Sequence, residues 1–452
     1  MTEPVWVRSP VGRADRHYAT RRGTKSVLVL VPHPVAGTRL FDLLPLIEAD
    51  HRLQIVFADP EAGDNWRAGR DFLHAHGGVV LPWPQARRSE FDLVLAGSTR
   101  GLDDLAAPTL LVPHGGGFGQ YRPWRPPDTA VPRPRRHGTG LHPDQLLREG
   151  RLRADALALV HDRERALLAR ECPQALPAAV VTGDIALDRL TASLPHRDHY
   201  RSALGATADQ EVVVVTSTWS PRSAFGRHPG LFDDVLAELP GDRFRVVGAL
   251  HPNIWAHHGA WQVRSWLADA LQAGLVLVPP EEGWRAALAA ADHAIGDYGS
   301  VTAYAAAAGA AVLLEDTPGQ PLLDGTPAAA LAGHAPRRRH DRPLVPQLAA
   351  AREARDTRGI PELVRELLSS RPGEAGQLLR RTMYRLLGLP EPARAVPVSP
   401  VPLPVPVRRN TVTTGGTEVT GDSAHRGSAP PGPTPGRSGA ATRTHAAGPV
   451  PA

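Results

Sequence analysis

The stretch VLVLVPHPVAGTRLFDLLPLI, Val27 to Ile47, decides the fold. Its first five residues, Val27 to Val31, are apolar without a break. A half-exposed strand alternates apolar with polar, so an unbroken run marks a strand covered on both faces. Pro32-His33-Pro34 ends it, and Leu40, Leu43, Leu44 and Ile47 then recur at the spacing of an amphipathic helix. Strand, turn and helix in that order are the repeating unit of a parallel sheet.

The same rhythm continues outward. Leu53–Phe57, Val79–Leu81, Leu93–Leu95, Thr109–Val112, Ala156–Val160 and Ala179–Val181 are short apolar runs bounded by Gly, Pro, Asp or His. The Pro- and Arg-rich segment from Tyr121 to Pro143 reads as a loop. After a polar break at Thr191 to Gln210 the pattern restarts. Strands are expected at Val212–Val215, Phe244–Ala249, Leu275–Val278, His293–Ile295 and Ala311–Leu314. Helices are expected at His228–Leu239, Trp261–Ala273, Gly283–Ala291 and Val301–Ala308. The fold class read from this is α/β: two tandem Rossmann-like, doubly wound parallel-sheet lobes, the glycosyltransferase-B architecture. The parts are an extension over 1–24, a first lobe over 25–200, a second over 201–345 and helices over 346–387, broken at Gly359, Pro361 and Pro372-Gly373. From 388 to 452 Pro, Val, Ser, Thr, Gly and Ala dominate, and that segment is expected to be a disordered tail with a polyproline II stretch over Val396–Val407.

Composition removes several classes. Of 51 basic residues only Lys25 is a lysine, and Cys172 is the single cysteine, so neither a disulfide nor a cysteine-based zinc cluster can form within the chain. The net charge of +5 is spread among acids rather than clustered, which argues against specific nucleic-acid binding. The run Arg337 to Arg342 reads as a solvated loop, with a phosphate or acidic-lipid patch as the alternative. The polar N-terminus lacks a secretory core and no apolar run approaches the ~20 residues of a membrane span. The expectation is a cytoplasmic protein with at most peripheral membrane contact. Gly23-Thr24-Lys25-Ser26 lacks the loop of a nucleoside triphosphatase, and Pro32-His33-Pro34-Val35-Ala36-Gly37 is not the Gly-x-Gly-x-x-Gly of a dinucleotide site. His33 itself reads as a plain loop residue, although it could line a cleft.

Three motifs stand where predicted strands end, the edge at which open α/β sheets bind ligands. Pro113-His114-Gly115-Gly116-Gly117 puts a histidine before glycines that allow close backbone approach; His114 is a candidate general base, or an incidental histidine on a mobile loop. Leu250-His251-Pro252-Asn253 closes the strand from Phe244, and His251 could meet a phosphate or sugar oxygen, or simply solvent. Asp297-Tyr298-Gly299-Ser300-Val301-Thr302 leads into an Ala-rich helix whose first N–H groups, with the Ser300 and Thr302 hydroxyls, make a phosphate site that needs no lysine. The plainer reading is N-capping by Ser300. Thr216 and Ser217, at the end of the first strand of the second lobe, are further cleft candidates.

At these motifs the chain resembles the CDP-glycerol glycerophosphotransferases and, more distantly, the UDP-N-acetylglucosamine 2-epimerases. Pro113-His114-Gly115-Gly116 is similar to the family's Trp-His-Gly-Thr, and Gly183-Asp184-Ile185-Ala186-Leu187-Asp188 to its Gly-Asn-Pro-Arg-x-Asp. Ala249-Leu250-His251-Pro252 is similar to its Arg-x-His-Pro, and Asp297-Tyr298-Gly299-Ser300 to its Asp-Tyr-Ser-Ser. The resemblance covers Val27 to Asp316. It implies a nucleotide-activated donor, with phosphates at Gly299 to Thr302 near His251 and Asp297, and His114 as the base that deprotonates an acceptor hydroxyl. It implies no metal and no cofactor beyond the donor.

The chain departs from the family pattern at Pro113, Ala186, Ala249 and Gly299, where cationic, aromatic or hydroxyl groups are lost. Arg222 and Arg227 are candidates to compensate. Two other readings stay open. A nucleotide-sugar epimerase or hydrolase would need cleft carboxylates, for which Asp184, Asp188 and Asp297 are the candidates. A non-catalytic scaffold would bind protein partners through the Pro-rich tail.

Overall fold

A computed structural model describes residues 6–7, 9–11, 20–60, 72–74, 76–113, 115–117, 121–123, 136–138, 140–317, 322–395 and 397–407. Two parallel sheets organise them. The first holds β1 (Lys25–Leu30), β2 (Leu53–Ala58), β3 (Val80–Leu81), β4 (Leu93–Ala96), β5 (Thr109–Leu111), β6 (Ala156–Leu159) and β7 (Ala179–Val181), in the spatial order β7-β6-β5-β4-β1-β2-β3. The second holds β8 (Glu211–Ser217), β9 (Phe244–Leu250), β10 (Val276–Leu277), β11 (His293–Gly296) and β12 (Ala311–Leu314), in the order β10-β9-β8-β11-β12.

The VLVLV run is buried throughout and faces two ways. Val27 and Val29 pack with Leu40, Ile47 and Met383, whereas Leu28 and Leu30 pack with Trp83, Leu102 and Leu168. Val212 and Val214 of β8 pack on the alanine-rich helices Trp284–Ala290 and Ser300–Ala307; Val213 and Val215 face Phe232, Trp255 and Leu348. Each such side chain contributes about 1.5–3 kcal/mol through burial. Alanine suits the first face because it lets helix backbones lie close to the sheet.

Three expectations need correction. The helical region after the second sheet breaks at Gly359 (φ 58°) and before Ala375, but Pro361 sits in the first turn of the helix Ile360–Leu368, where its missing N–H costs nothing. Of the expected tail, the described residues 389–395 and 397–407 lie on the body of the protein. Val398 packs on the first lobe, Val401 is buried and takes the Tyr200 hydroxyl on its carbonyl at 2.7 Å, and Val407 N–H bonds Leu277 O of β10 at 2.8 Å. Within the expected loop from Tyr121, Tyr121–Pro123 and Arg136–Gly138 pair as a short antiparallel hairpin. The rest of the expected tail, 408–452, lies outside the described residues, as do residue 396 and most of the extension over 1–24.

The helix Ala375–Leu387 returns to the first lobe, where Leu379, Met383 and Tyr384 join the core around Val27. Among the described residues no helix is long and apolar enough to cross a membrane.

Candidate functional site

Both sheets reverse strand order beside their first strand: β1 lies between β4 and β2, and β8 between β11 and β9. Such switch points leave a crevice at the strand C-terminal ends. The two crevices face one cleft of about 1020 Å³. His33 follows β1, Gly97 and Ser98 follow β4, and Pro113 and Gly115 to Gly117 follow β5. From the second lobe come Thr216 to Trp219, Ala249 to Asn253, and Tyr298 to Val301.

The glycine loop of the first lobe lies directly against the helix start of the second. A Cβ on Gly115 would sit 3.6 Å from Ser300 Oγ; one on Gly116 would sit 3.6 Å from Tyr304 Oη and 2.9 Å from Leu368 Cδ2. A side chain at Gly116 would have to displace the Leu368 methyl. Two of the three motifs therefore meet across the cleft. His114, the expected base, lies outside the described residues.

His251 follows β9, two strands from the one that leads into the third motif, and caps the helix Pro252–His258. Its Nδ1 accepts the N–H of Asn253 at 3.1 Å. In the neutral ring the proton is then on Nε2. His33 repeats the arrangement in the first lobe. It caps the helix Pro34–Phe41, with Nδ1 accepting from Ala36 N–H at 3.2 Å. Each lobe therefore contributes one His-Pro cap to the cleft. His33, read from the sequence as a plain loop residue, belongs to its lining.

The helix Ser300–Ala307 has Gly299, not Ser300, at its N-cap. Ser300 is exposed and opens the first turn. Val301 lines the cleft, but Thr302 does not. Thr302 is buried, and its hydroxyl lies so close over Gly296 that a Cβ there would stand 2.5 Å from Oγ1. Gly299 N–H bonds Asp297 Oδ1 at 3.0 Å. The other oxygen of Asp297 accepts from Thr218 N–H (2.9 Å), Thr218 hydroxyl (2.8 Å) and Ala224 N–H (3.0 Å). Asp297 is thus a brace for the loop 218–224. Burial pushes its carboxyl up, against those four donors. Ser217 is similarly engaged, donating to Thr218 O and accepting from Phe225 N–H, each at 2.9 Å, and Thr216 packs on Gly296.

The other two expected carboxylates are also structural. Asp184 caps the helix Ile185–Ser193 through Ala186 N–H at 2.8 Å. It takes the Arg39 guanidinium at 3.1 Å and the Tyr304 hydroxyl at 2.5 Å. Asp188 accepts from Gly373 N–H (2.8 Å) and Ala375 N–H (3.0 Å), capping the C-terminal helix. Burial, opposed by those two bonds and abetted by Asp184 and Glu374, pushes its pKa up to about 6.

The charges on the cleft floor are mostly spoken for. Arg39 bridges Asp184 and Tyr304, bonding the tyrosine oxygen at 3.0 Å. Asp42 accepts from Arg285 and Arg189, each at 2.5 Å, with Arg39 4.0 Å away. Burial alone would raise the Asp42 carboxyl, but Arg285, Arg189 and Arg39 outweigh it and hold it below the usual range. The cations available to a ligand stand at the rim. Arg100 and Arg222 are exposed, line the cleft, and have no carboxylate partner among the described residues. Arg227, the other candidate, does not line it. Among the described residues no group of three metal-ligating side chains lies in the cleft.

Arg39, Arg285 and Tyr304 were not expected from the sequence. Nothing marks an arginine as buried before its partners are known. Tyr304 carried one signal, as the only large side chain in SVTAYAAA.

No protein-family model and no curated protein matches the sequence. Solved structures do. A variant of the wall teichoic acid polymerase TagF is similar with a TM-score of 0.57 at 12% identity, over 83% of this chain and 92% of that one. The same variant soaked with CDPG for 15 minutes gives 0.56 at 11%, over 83% and 93%. TagF without the substitution gives 0.54 at 11%, over the same shares. The chain has the two-lobed glycosyltransferase-B fold, and the resemblance read from its four motifs holds at the level of that fold.

Proposed function

We propose that the protein is a transferase that moves a glycerol-phosphate, polyol-phosphate or glycosyl group from a nucleotide-activated donor to an acceptor hydroxyl in the interlobe cleft. The observation that carries this reading is the meeting of the Gly115–Gly117 loop with the helix start at Ser300, in a cleft that also receives a His-Pro cap from each lobe. Unpaired N–H groups in the first turn of the Ser300 helix, together with its dipole, favour an anion. Arg100 and Arg222 at the rim supply charge without lysine. His251, which follows β9 at the cleft and caps the next helix through Nδ1, is the residue we place beside a leaving phosphate oxygen. His114, between two residues of the lining, is the residue we assign to deprotonating the acceptor. The likeness of the fold to TagF, one structure of which was soaked with CDPG, supports a nucleoside diphosphate donor. We place the reaction in the cytoplasm, with membrane contact at most peripheral and no metal required.

One observation favours transfer over epimerisation or hydrolysis on the same scaffold. Asp184, Asp188 and Asp297, the carboxylates such chemistry would use, are each occupied by donors of the protein itself.

The test is calorimetric titration with CDP, UDP, GDP and ADP and their glycerol, ribitol and sugar conjugates, repeated on His251→Ala and Ser300→Ala. A ligand of this cleft binds with one equivalent and loses affinity in both variants. Binding of none of the series at millimolar concentration would remove the donor reading and leave the scaffold one.

A further inference from the structure

The basic run Arg337 to Arg342 has no part in the cleft, and its members do not form a free cationic patch. Arg337 faces Asp316 at 3.6 Å, and Arg339 pairs with Asp341 at 2.9 Å. Arg338 is buried, bonding Glu315 at 2.9 Å and reaching Glu238 at 3.3 Å. Glu238 also takes the N–H of Leu344 at 2.6 Å. These bonds fasten the run to the helix Leu231–Glu238 and to the end of β12, and fix where His340 stands.

His340 stands against two other ligating side chains. His228, just beyond the short helix Ala224–Arg227, places Nε2 2.7 Å from Asp234 Oδ2 on the helix Leu231–Glu238. The rings of His228 and His340 are 5.1 Å apart. One ligand atom from each of His228, Asp234 and His340 lies within 4.8 Å of the others. A tetrahedral ion with ligand bonds of about 2.0–2.2 Å would draw those atoms somewhat closer together than they stand now. Behind His340 stands Glu315, Oε2 3.2 Å from His340 Nε2, itself held by the buried Arg338. A carboxylate behind a ligating imidazole, orienting the ring and raising its basicity, is the usual outer shell of a metal-bound histidine.

We propose that His228, Asp234 and His340 bind a divalent transition ion, Zn²⁺ by ligand chemistry, on the outer face of the second lobe. Two imidazoles and one carboxylate select zinc over Mg²⁺ or Ca²⁺, which take oxygen ligands. Water completes the fourth position, since all three side chains are partly exposed. The ligands come from two segments more than a hundred residues apart in sequence. The ion is therefore a clasp between the run 337–342 and the helix Leu231–Glu238. The site is outside the cleft and independent of the transferase reading.

The test uses the full chain, stripped with chelator and titrated with Zn²⁺ alone. The expected result is one equivalent bound, with a rise in Tm on zinc addition that Mg²⁺ does not reproduce. Co²⁺ in its place should give the visible absorption of a four-coordinate site. His228→Ala/His340→Ala should fold, as circular dichroism would show, yet lose the bound equivalent and the zinc-dependent Tm rise. Asp234→Asn, which keeps a hydrogen-bond partner for His228, should weaken binding at least tenfold. No stoichiometric binding by the parent chain, or equal binding by the double variant, overturns the proposal.

Discussion

The hydroxyl of Tyr304, on the second lobe, donates to Asp184 Oδ2 at 2.5 Å directly after the last strand of the first sheet. Arg39 completes a buried triad, bonding both partners. Burial pushes the tyrosine hydroxyl up, and Asp184 adds to the effect against the opposing charge of Arg39, so the phenol stays protonated and remains the donor. The two lobes are thus joined at the cleft floor by an interaction with every member satisfied.

Removing the Tyr304 hydroxyl leaves Asp184 and Arg39 each short of a partner in an almost fully buried setting at the cleft floor. Tyr304→Phe should lower the free energy of unfolding by about 1–3 kcal/mol in urea titration. A cost within experimental error would show that the triad does not hold the lobes.

Asp42 carries a larger share. It is the counter-ion of Arg285 and Arg189, and Arg285 is 2% exposed. Asp42→Ala takes one of two carboxylates from the buried Arg285, which keeps Glu282, and leaves Arg189 without its acidic partner, so the expected cost is about 2–4 kcal/mol, below that of a fully orphaned buried charge. The expected order, Asp42→Ala above Tyr304→Phe, is read from the same urea titrations; the reverse order would mean water reaches Arg285.

Asp188 makes stability depend on pH with a defined sign. Its native pKa of about 6 lies above that of an unfolded aspartate, about 3.9, so the native state binds the proton more tightly. This contribution is fully present below pH ~4 and is lost as pH rises through ~6. Asp188→Asn does not titrate. The Tm of the variant minus that of the parent should therefore climb between pH 4 and 6. A flat difference would assign the carboxyl an ordinary pKa.

The rim arginines separate binding from folding. Arg100→Ala and Arg222→Ala should leave Tm nearly unchanged, since both side chains are exposed. Each should weaken a nucleoside diphosphate about tenfold or more, the value of one charge-assisted hydrogen bond. Unaltered affinity in both would move the phosphates away from the rim.

Truncation distinguishes the two parts of the C-terminal segment. Ending the chain after Val407 should leave Tm and nucleotide binding as they are. Ending it after Gly388 removes buried Val401 and takes the acceptor from Tyr200, and should lower Tm by several degrees. Loss of nucleotide binding in the first truncation would favour a role for the tail that we do not assign to it.

What was legible in the sequence was local. An unbroken apolar run announces a strand buried on both faces, and a His-Pro or Gly-rich turn after it announces the edge where ligands sit. That reasoning located β1, β8, β9 and β11 and the turns that line the cleft. It failed where a residue's role depends on distant partners. Asp188 is occupied by Gly373 and Ala375, 185 and 187 residues away. Asp297 is satisfied by a loop some seventy residues earlier. Thr302 was misplaced for a geometric reason: two positions along a helix are about 200° apart, so when Ser300 faces the cleft Thr302 faces the sheet. The strap after Gly388 was read as disordered because its composition is poor in apolar area. Yet Val398 and Val401, the Tyr200 hydroxyl, Arg189 on the Ser399 and Pro400 carbonyls and an open strand edge dock it on a body that already exists.

The strap also bears on how the cleft can work. It runs from Val398 on the first lobe to Val407 on β10 of the second, and the triad at Tyr304 and the ion cluster at Asp42 join the same two lobes from inside. A ligand entering such a cleft does not have to supply the free energy of drawing the lobes together, so its affinity carries no conformational tax. Solution scattering should record the same radius of gyration with and without nucleotide.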